Sequence, residues 1–204
     1  MSTFDTKGNR PINVVGIGGT MREFSSSLLG LKRALHAAEE AGATTQLLDL
    51  RTAGLPLYDP AVSLADHGPS VSHFISSTRQ ADVLILSTAA YHGTLAGITK
   101  NAIDFFQLLA GGDRPYLHQK VVGLVATAGG DMAAVNAINA MVHSVHSLRG
   151  TLVPLTVTIP QAWKGMNAQE GYIDPKWAER LDSLGRLVVT TAAAFVDAER
   201  PVPA

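Results

Sequence analysis

Short apolar runs alternate with longer stretches whose apolar positions recur every three or four residues, about five times over between Ile12 and Ala198. The runs Ile12–Ile17, Thr44–Leu50, Asp82–Thr88, Lys120–Thr127 and Thr151–Val157 predict strands. Asp82–Thr88 (DVLILST) is nearly all apolar, as a strand covered on both faces should be. Between them, Ser25–Ala41 predicts a helix, with Leu28, Leu31, Leu35 and Ala38 on one face and Gly42 closing it. Leu95–Leu109 and Asp131–Arg149 predict two more helices. A last one opens with Asp174 at the N-cap and Pro175 at the first helical position, and runs to about Ala198.

Strands alternating with helices imply right-handed crossovers and a parallel sheet covered on both faces. Five such strands in 204 residues predict an α/β, flavodoxin-like three-layer sandwich with strand order 2-1-3-4-5. No repeat or low-complexity linker interrupts the chain, so residues 1–204 are expected to form one domain with frayed tails at 1–10 and 199–204. In such sheets ligands sit beyond the carboxyl ends of the strands, near the switch point between strands 1 and 3. The loops after the first, third and fourth strands are therefore the places to look for chemistry.

Composition narrows the classes. Hydrophobic residues make up 46% and charged residues 16%, which excludes a disordered chain. The net charge of -1 carries no basic excess, which argues against nucleic acid as a partner. There is no cysteine, hence no disulfide, thiol nucleophile or thiolate-bound metal. The uncharged stretch Met132–Leu148, as long as any in the chain, holds two His and two Asn and is too short and polar to span a bilayer. A cytoplasmic enzyme or binding protein with no membrane partner is the expectation.

The first loop reads Gly18-Gly19-Thr20-Met21-Arg22-Glu23-Phe24-Ser25-Ser26-Ser27. Its glycines leave backbone amides unobstructed, Thr20, Ser25, Ser26 and Ser27 offer hydroxyls, and Arg22 offers charge. A helix N-terminus furnished this way is a phosphate cradle, although Ser25 as a plain N-cap accounts for part of the pattern. There is no third glycine for a dinucleotide fingerprint and no Gly-Lys-Ser/Thr for a Walker loop, so a mononucleotide phosphate fits better. The loop after the third strand passes through Ala89, Ala90, Tyr91, His92 and Gly93. Small residues let a flat ligand approach the backbone, and Tyr91 can edge a ring. His92 alone does not make an acid-base site. The loop after the fourth strand, Thr127-Ala128-Gly129-Gly130, offers further exposed amides.

Two of these loops resemble a known family. The run Tyr91-His92-Gly93-Thr94-Leu95-Ala96-Gly97-Ile98-Thr99-Lys100-Asn101-Ala102-Ile103-Asp104 is similar to the P-E-Y-x-x-S-x-P-G-x-L-K-N-A-I-D signature of the NAD(P)H-dependent FMN reductases. The first loop resembles that family's G-S-x-R-x-x-S-x-S/N phosphate motif at Gly19, Thr20, Arg22, Ser25 and Ser27, and Leu55–Pro60 resembles a segment common after its second strand. The run Ser25–Leu29 is most similar to the sulfonate-utilisation branch. Ala89-Ala90 stand where the family has Pro-Glu, Ala96 where it has a second Pro, and Thr99 where it has Leu. The resemblance implies FMN as cofactor, with NADPH or NADH as hydride donor to its N5. It implies phosphate binding by Thr20–Ser27 and the flavin ring beside Ala89–Gly93 and Thr127–Gly130. It names no side chain as nucleophile or base. The electron acceptor stays open among free flavin, a quinone, an azo dye, a nitroaromatic and a metal oxyanion, as does transfer of reduced flavin to a partner monooxygenase. Lys100 and Asn101 match the signature, and the start of a helix gives them a structural role.

The stretch Asp131–Arg149 places Val135, Ile138, Val142, Val145 and Leu148 on one stripe, expected to face the core. Asn136, Asn139, Ala140, His143 and Ser147 make an uncharged opposite side, expected to be covered by a second subunit in a homodimer or homotetramer. His143 and His146 lie three apart, but no Asp, Glu or Cys joins them, and no metal is expected. Flavin-as-substrate members of the resembled family can carry an extra Tyr in this helix. None occurs here, which favours a retained FMN. Gln161–Tyr172, with Trp163 and Lys164, reads as a subunit contact or a lid. Two other classes stay open: a non-enzymatic electron carrier, against which -1 argues because such carriers are strongly acidic, and a flavin-free domain on the same fold.

Overall fold

The apolar runs pair into one sheet. In the computed structural model, which describes residues 10–111 and 113–198, the parallel strands are β1 (Asn13–Gly18), β2 (Thr44–Asp49), β3 (Val83–Tyr91), β5 (Val121–Thr127) and β6 (Thr151–Ile159). Their order is β2-β1-β3-β5-β6, the flavodoxin-like arrangement. The sheet has six strands, not the five predicted. The sixth, β4 (Thr94–Leu95), pairs antiparallel with the end of β3. Two residues leave no periodicity to read, so β4 is invisible in the sequence pattern. A separate two-stranded ribbon joins β7 (Met166–Asn167) to β8 (Tyr172–Ile173), within the segment read as a contact or lid. Apart from Arg10, the tails expected to fray lie outside the described residues.

Six α-helices are described: α1 (Ser26–Glu40), α2 (Pro69–Gln80), α3 (Gly97–Asp104), α4 (Ala133–Ser147), the single turn α5 (Ala162–Gly165), and α6 (Pro175–Ala198). Each central strand buries both faces. Val83 and Ile85 of β3 join one core with α1 and α6, whereas Leu84 and Leu86 join another with α2, α3 and α4. Gly185 sets the α1–α6 crossing. A Cβ there would meet the Ala34 carbonyl oxygen and lie 2.9 Å from the Ala37 Cβ, so the backbones touch where only hydrogen fits. Arg33 of α1 reinforces the crossing with two bonds to the Asp182 carboxylate, 2.5 and 2.6 Å.

Helix α2 has no counterpart in the predicted elements. Its sequence, PSVSHFISSTRQ, is dominated by polar residues, and it stands because Phe74 stacks on Phe106 at 5.9 Å and meets Phe105 edge-on at 6.4 Å. The segment Leu95–Leu109 is helical only from Gly97, and it tightens to a 3-10 helix over Phe105–Leu109. Helix α4 is rotated from expectation. Its buried residues are Ala134, Ala137, Ile138, Met141 and Val145, while Val135 is 40% exposed and Val142 and Leu148 are half-buried. The alanines let the helix lie close to the sheet, and Met141 fills the gap beneath.

Candidate functional site

Three loops meet at the carboxyl edge of the sheet because their strands are neighbours. Gly18 of β1 pairs with Ser87 of β3, and Ala89 of β3 pairs with Thr127 of β5. Thr20–Ser27, Ala89–Gly93 and Thr127–Gly130 therefore leave neighbouring strands at this one edge.

The first loop ends in a structured helix start. Ser25 is extended (φ -113, ψ 120), and its Oγ accepts the Leu28 N–H at 3.3 Å. Ser25 Oγ and Ser27 Oγ are 2.9 Å apart and buried. One hydroxyl donates to the other, which leaves one hydroxyl hydrogen of the pair for a further acceptor. Thr20 is buried and its Oγ1 accepts the Arg22 N–H at 3.2 Å, while the Arg22 side chain is exposed. Ser26 is half-buried. Sequence reasoning missed Ser87, whose Oγ donates to the Ser27 carbonyl at 2.8 Å and ties the first turn of α1 to β3. It also missed Asp49, whose Oδ1 accepts the Arg51 N–H and lies beside Gly19. For Asp49 the end of β2 was the available signal, whereas Ser87 lies inside β3.

Ala89, Ala90 and Tyr91 are not loop residues. They continue β3 beyond Thr88, and His92 and Gly93 form the two-residue turn into β4, with φ 49 and 82. Positive φ at both central positions is the turn that matches strand twist, which glycine adopts freely and histidine tolerates. Thr88 braces the hairpin: its Oγ1 accepts the Ala96 N–H at 3.0 Å, lies 3.0 Å from Thr99 Oγ1 and donates to the Ala89 carbonyl. Asn101 braces the neighbouring segment, accepting the Tyr58 N–H at 2.8 Å and donating to the Pro56 carbonyl at 2.7 Å. Asn101 thus acts from within α3 as a tether to that segment, and not at the helix start. Lys100 pairs with Asp104 at 2.6 Å.

Thr127 and Ala128 are buried, and Gly129 and Gly130 are exposed. Nothing lies within 4 Å of where a Cβ would stand on either glycine, so there is room for a flat group against the backbone. Gln161, in the left-handed region (φ 44), donates to Asp131 at 2.5 Å and holds this loop to the one after β6. Large apolar side chains in and just after these loops and the one after β6 are exposed: Met21, Phe24, Tyr91, Met132 and Trp163.

The sequence that builds these loops matches the family model NADPH-dependent FMN reductase over residues 12–164. The chain belongs to that family. It is 31% identical over 176 residues to an NAD(P)H-dependent FMN reductase of Pseudomonas aeruginosa, covering 82% of this chain and 88% of the relative. It is 29% identical over 160 residues to an NADPH azoreductase of a Bacillus species, covering 78% and 81%. A solved flavoenzyme NAD(P)H:(acceptor) oxidoreductase from Paracoccus denitrificans shares the fold, with a TM-score of 0.68 at 19% identity over 92% of this chain and 98% of that one. This member of the FMN reductase family is thus an NAD(P)H-dependent flavin oxidoreductase, with FMN as its flavin. Among the described residues no helix is long and apolar enough to cross a membrane.

Proposed function

We propose that the chain holds FMN across the carboxyl edge of β1, β3 and β5 and passes electrons from NAD(P)H to a small planar organic acceptor. The carrying observation is the convergence of a serine-rich helix N-terminus with two walls of backbone on three adjacent strands. The donor set fits the group. Thr20, Arg22, Ser25, Ser26 and Ser27 suit a phosphate, with the first turn of α1 supplying N–H groups and the favourable end of its dipole. Ala89–Gly93 and Thr127–Gly130 suit a flat ring, which backbone amides would edge. Bound FMN supplies the two-electron chemistry. The chain binds it, orients it and excludes water, and no side chain is assigned proton transfer.

The exposed apolar side chains in and near these loops support an aromatic acceptor, a quinone or azo compound, over a metal oxyanion. The Ser25–Leu29 run supports a second reading, the sulfonate-utilisation branch, in which reduced flavin leaves for a partner monooxygenase. The uncharged exposed side of α4 supports a homodimer or homotetramer. The same reading takes residues 1–204 as one domain and puts the enzyme in the cytoplasm. A visible spectrum of the purified protein, before and after NADPH, tests the main reading. A flavin band that bleaches supports it. A colourless protein that oxidises NADPH only when FMN is added supports the second reading. No response in either case rejects both.

A further inference from the structure

The segment between β6 and α6 is fastened to the loop that follows β5. Thr127 pairs with Ile159 at the end of the β5–β6 ladder. Past that end, the Ala128 N–H donates to the Ile159 carbonyl at 3.0 Å, and the Ala162 N–H donates to the Ala128 carbonyl at 2.8 Å. Ala128 is therefore held through both of its backbone groups. The next two residues differ. Gly129 and Gly130 are exposed, and glycine backbone has more conformational freedom than that of any other residue. The helix beyond adds little, because the N-cap of α4 is Met132, whose side chain makes no capping bond.

Gln161 closes the far end of the glycine pair. Its N–H donates to the Gly130 carbonyl at 3.4 Å, a long bond, and its Nε2 donates to Asp131 Oδ1 at 2.5 Å. The second is short and charge-assisted, the stronger kind of hydrogen bond. Gln161 has a left-handed backbone (φ 44, ψ 45), which glycine would adopt without strain. Such strain persists where the surroundings over-determine it, and it clusters at functional sites. The surroundings here are well tied. The Gln161 carbonyl accepts the Lys164 N–H at 2.8 Å within the turn of α5, and Ala162 and Gly165 are buried. The Gly165 carbonyl accepts the Asp174 N–H at 2.8 Å where α6 begins, and a Cβ on Gly165 would stand 3.0 Å from the Trp177 ring. At its Gln161 end, the segment expected as a contact or a lid is a buttress.

We infer that Gln161 is a positioning residue of the flavin site: through Asp131 it sets the course of Gly129 and Gly130, and with it the backbone surface that the ring meets. The inference rests on the reading that FMN lies against Thr127–Gly130. Gln161 is assigned no contact with flavin or substrate and no part in electron transfer. Without the clamp, each arriving ring would have to order the glycine pair, at a cost in affinity.

Two readouts test this. Order parameters from nitrogen NMR relaxation report the glycine pair in the FMN-free protein, and a fluorescence titration reports FMN affinity. Gln161→Gly accepts the left-handed backbone and removes the side-chain bond, and Asp131→Ala removes that bond from its other end. In each variant the order parameters of Gly129 and Gly130 are expected to fall from about 0.85 to below about 0.6. FMN should bind about tenfold more weakly, with the melting temperature of the empty protein nearly unchanged. Asp131→Asn still offers Oδ1 to Gln161 and should retain wild-type order and most of the affinity. Gln161→Gly combined with Asp131→Ala should bind no worse than either alone, because all three lose the same bond. If Asp131→Ala fails to fold, Gln161→Gly alone decides. The inference is overturned by unchanged order in Gln161→Gly, by disordered glycines with full FMN affinity, by Asp131→Asn as weak as Asp131→Ala, or by additive losses in the double variant. A weakening of FMN that tracks a general loss of stability overturns it too. A wild type that takes up no FMN rejects the flavin reading, and the inference with it; each of the other outcomes leaves that reading standing.

Discussion

Ser25 holds two features together, the cap of α1 and the bond to Ser27. Ser25→Ala should lower stability by about 1 kcal/mol in denaturant unfolding and weaken FMN in a fluorescence titration. Ser26→Ala, which removes a hydroxyl without a cap, should weaken FMN with little change in stability. Lys120 gives a pH signature. Burial lowers its ordinary value near 10.5 to about 8 in the folded chain, so between these values the unfolded chain binds more protons and stability rises with pH. The advantage of the wild type over Lys120→Met should therefore widen from pH 8 to pH 10, as urea unfolding at each pH would show. A constant difference would refute the shift. Asp82 acts at the acid end. Burial raises its pKa, but the hydrogen bonds from Arg10 and Asn13 and the charges of Arg10 and Lys120 outweigh this and hold it below the usual carboxylate range. Its stabilisation is complete above about pH 4 and is lost as pH falls through the lowered value. Asp82→Asn should thus flatten the acid-unfolding profile.

At the scale of elements, helix contacts answer to single atoms. Gly185→Ala forces a methyl into the α1 backbone and should cost about 1–3 kcal/mol, visible as a lowered melting temperature. What could be read from the sequence follows where the physics is local. Ser25, Asp174 and Gly42 mark helix ends by their own chemistry, and Asp174 does cap α6, accepting the Lys176 N–H at 2.9 Å. The central strands β1, β3 and β5 show because both of their faces are apolar. Helix α2 does not show, because its stability comes from Phe105 and Phe106, some thirty residues downstream. The rotation of α4 was hidden for a related reason. Alanine reads as neutral in a periodicity, yet Ala134 and Ala137 are what the sheet admits at close range. Within the candidate site, the glycines and serines announced themselves, whereas the hairpin of β3 and β4 depends on a pairing that begins beyond the apolar run.

Across the whole molecule, the exposed side of α4 carries Met132, Val135, Asn136, Asn139, His143 and His146, and no acidic residue, lysine or arginine lies between Met132 and Leu148. If a second copy covers this face, Asn139→Glu with His143→Glu should shift the protein to monomer in light scattering behind size exclusion. A monomeric wild type would reject that assembly. The hairpin has a different consequence. Ala89–Tyr91 belong to the sheet, pinned by the β4 ladder and by Thr88, and are shaped before any guest arrives. A preorganised wall has little conformational entropy left to lose on association. Flavin uptake should then be a single-phase encounter, with amide exchange at Ala90 and Tyr91 already slow in the empty protein.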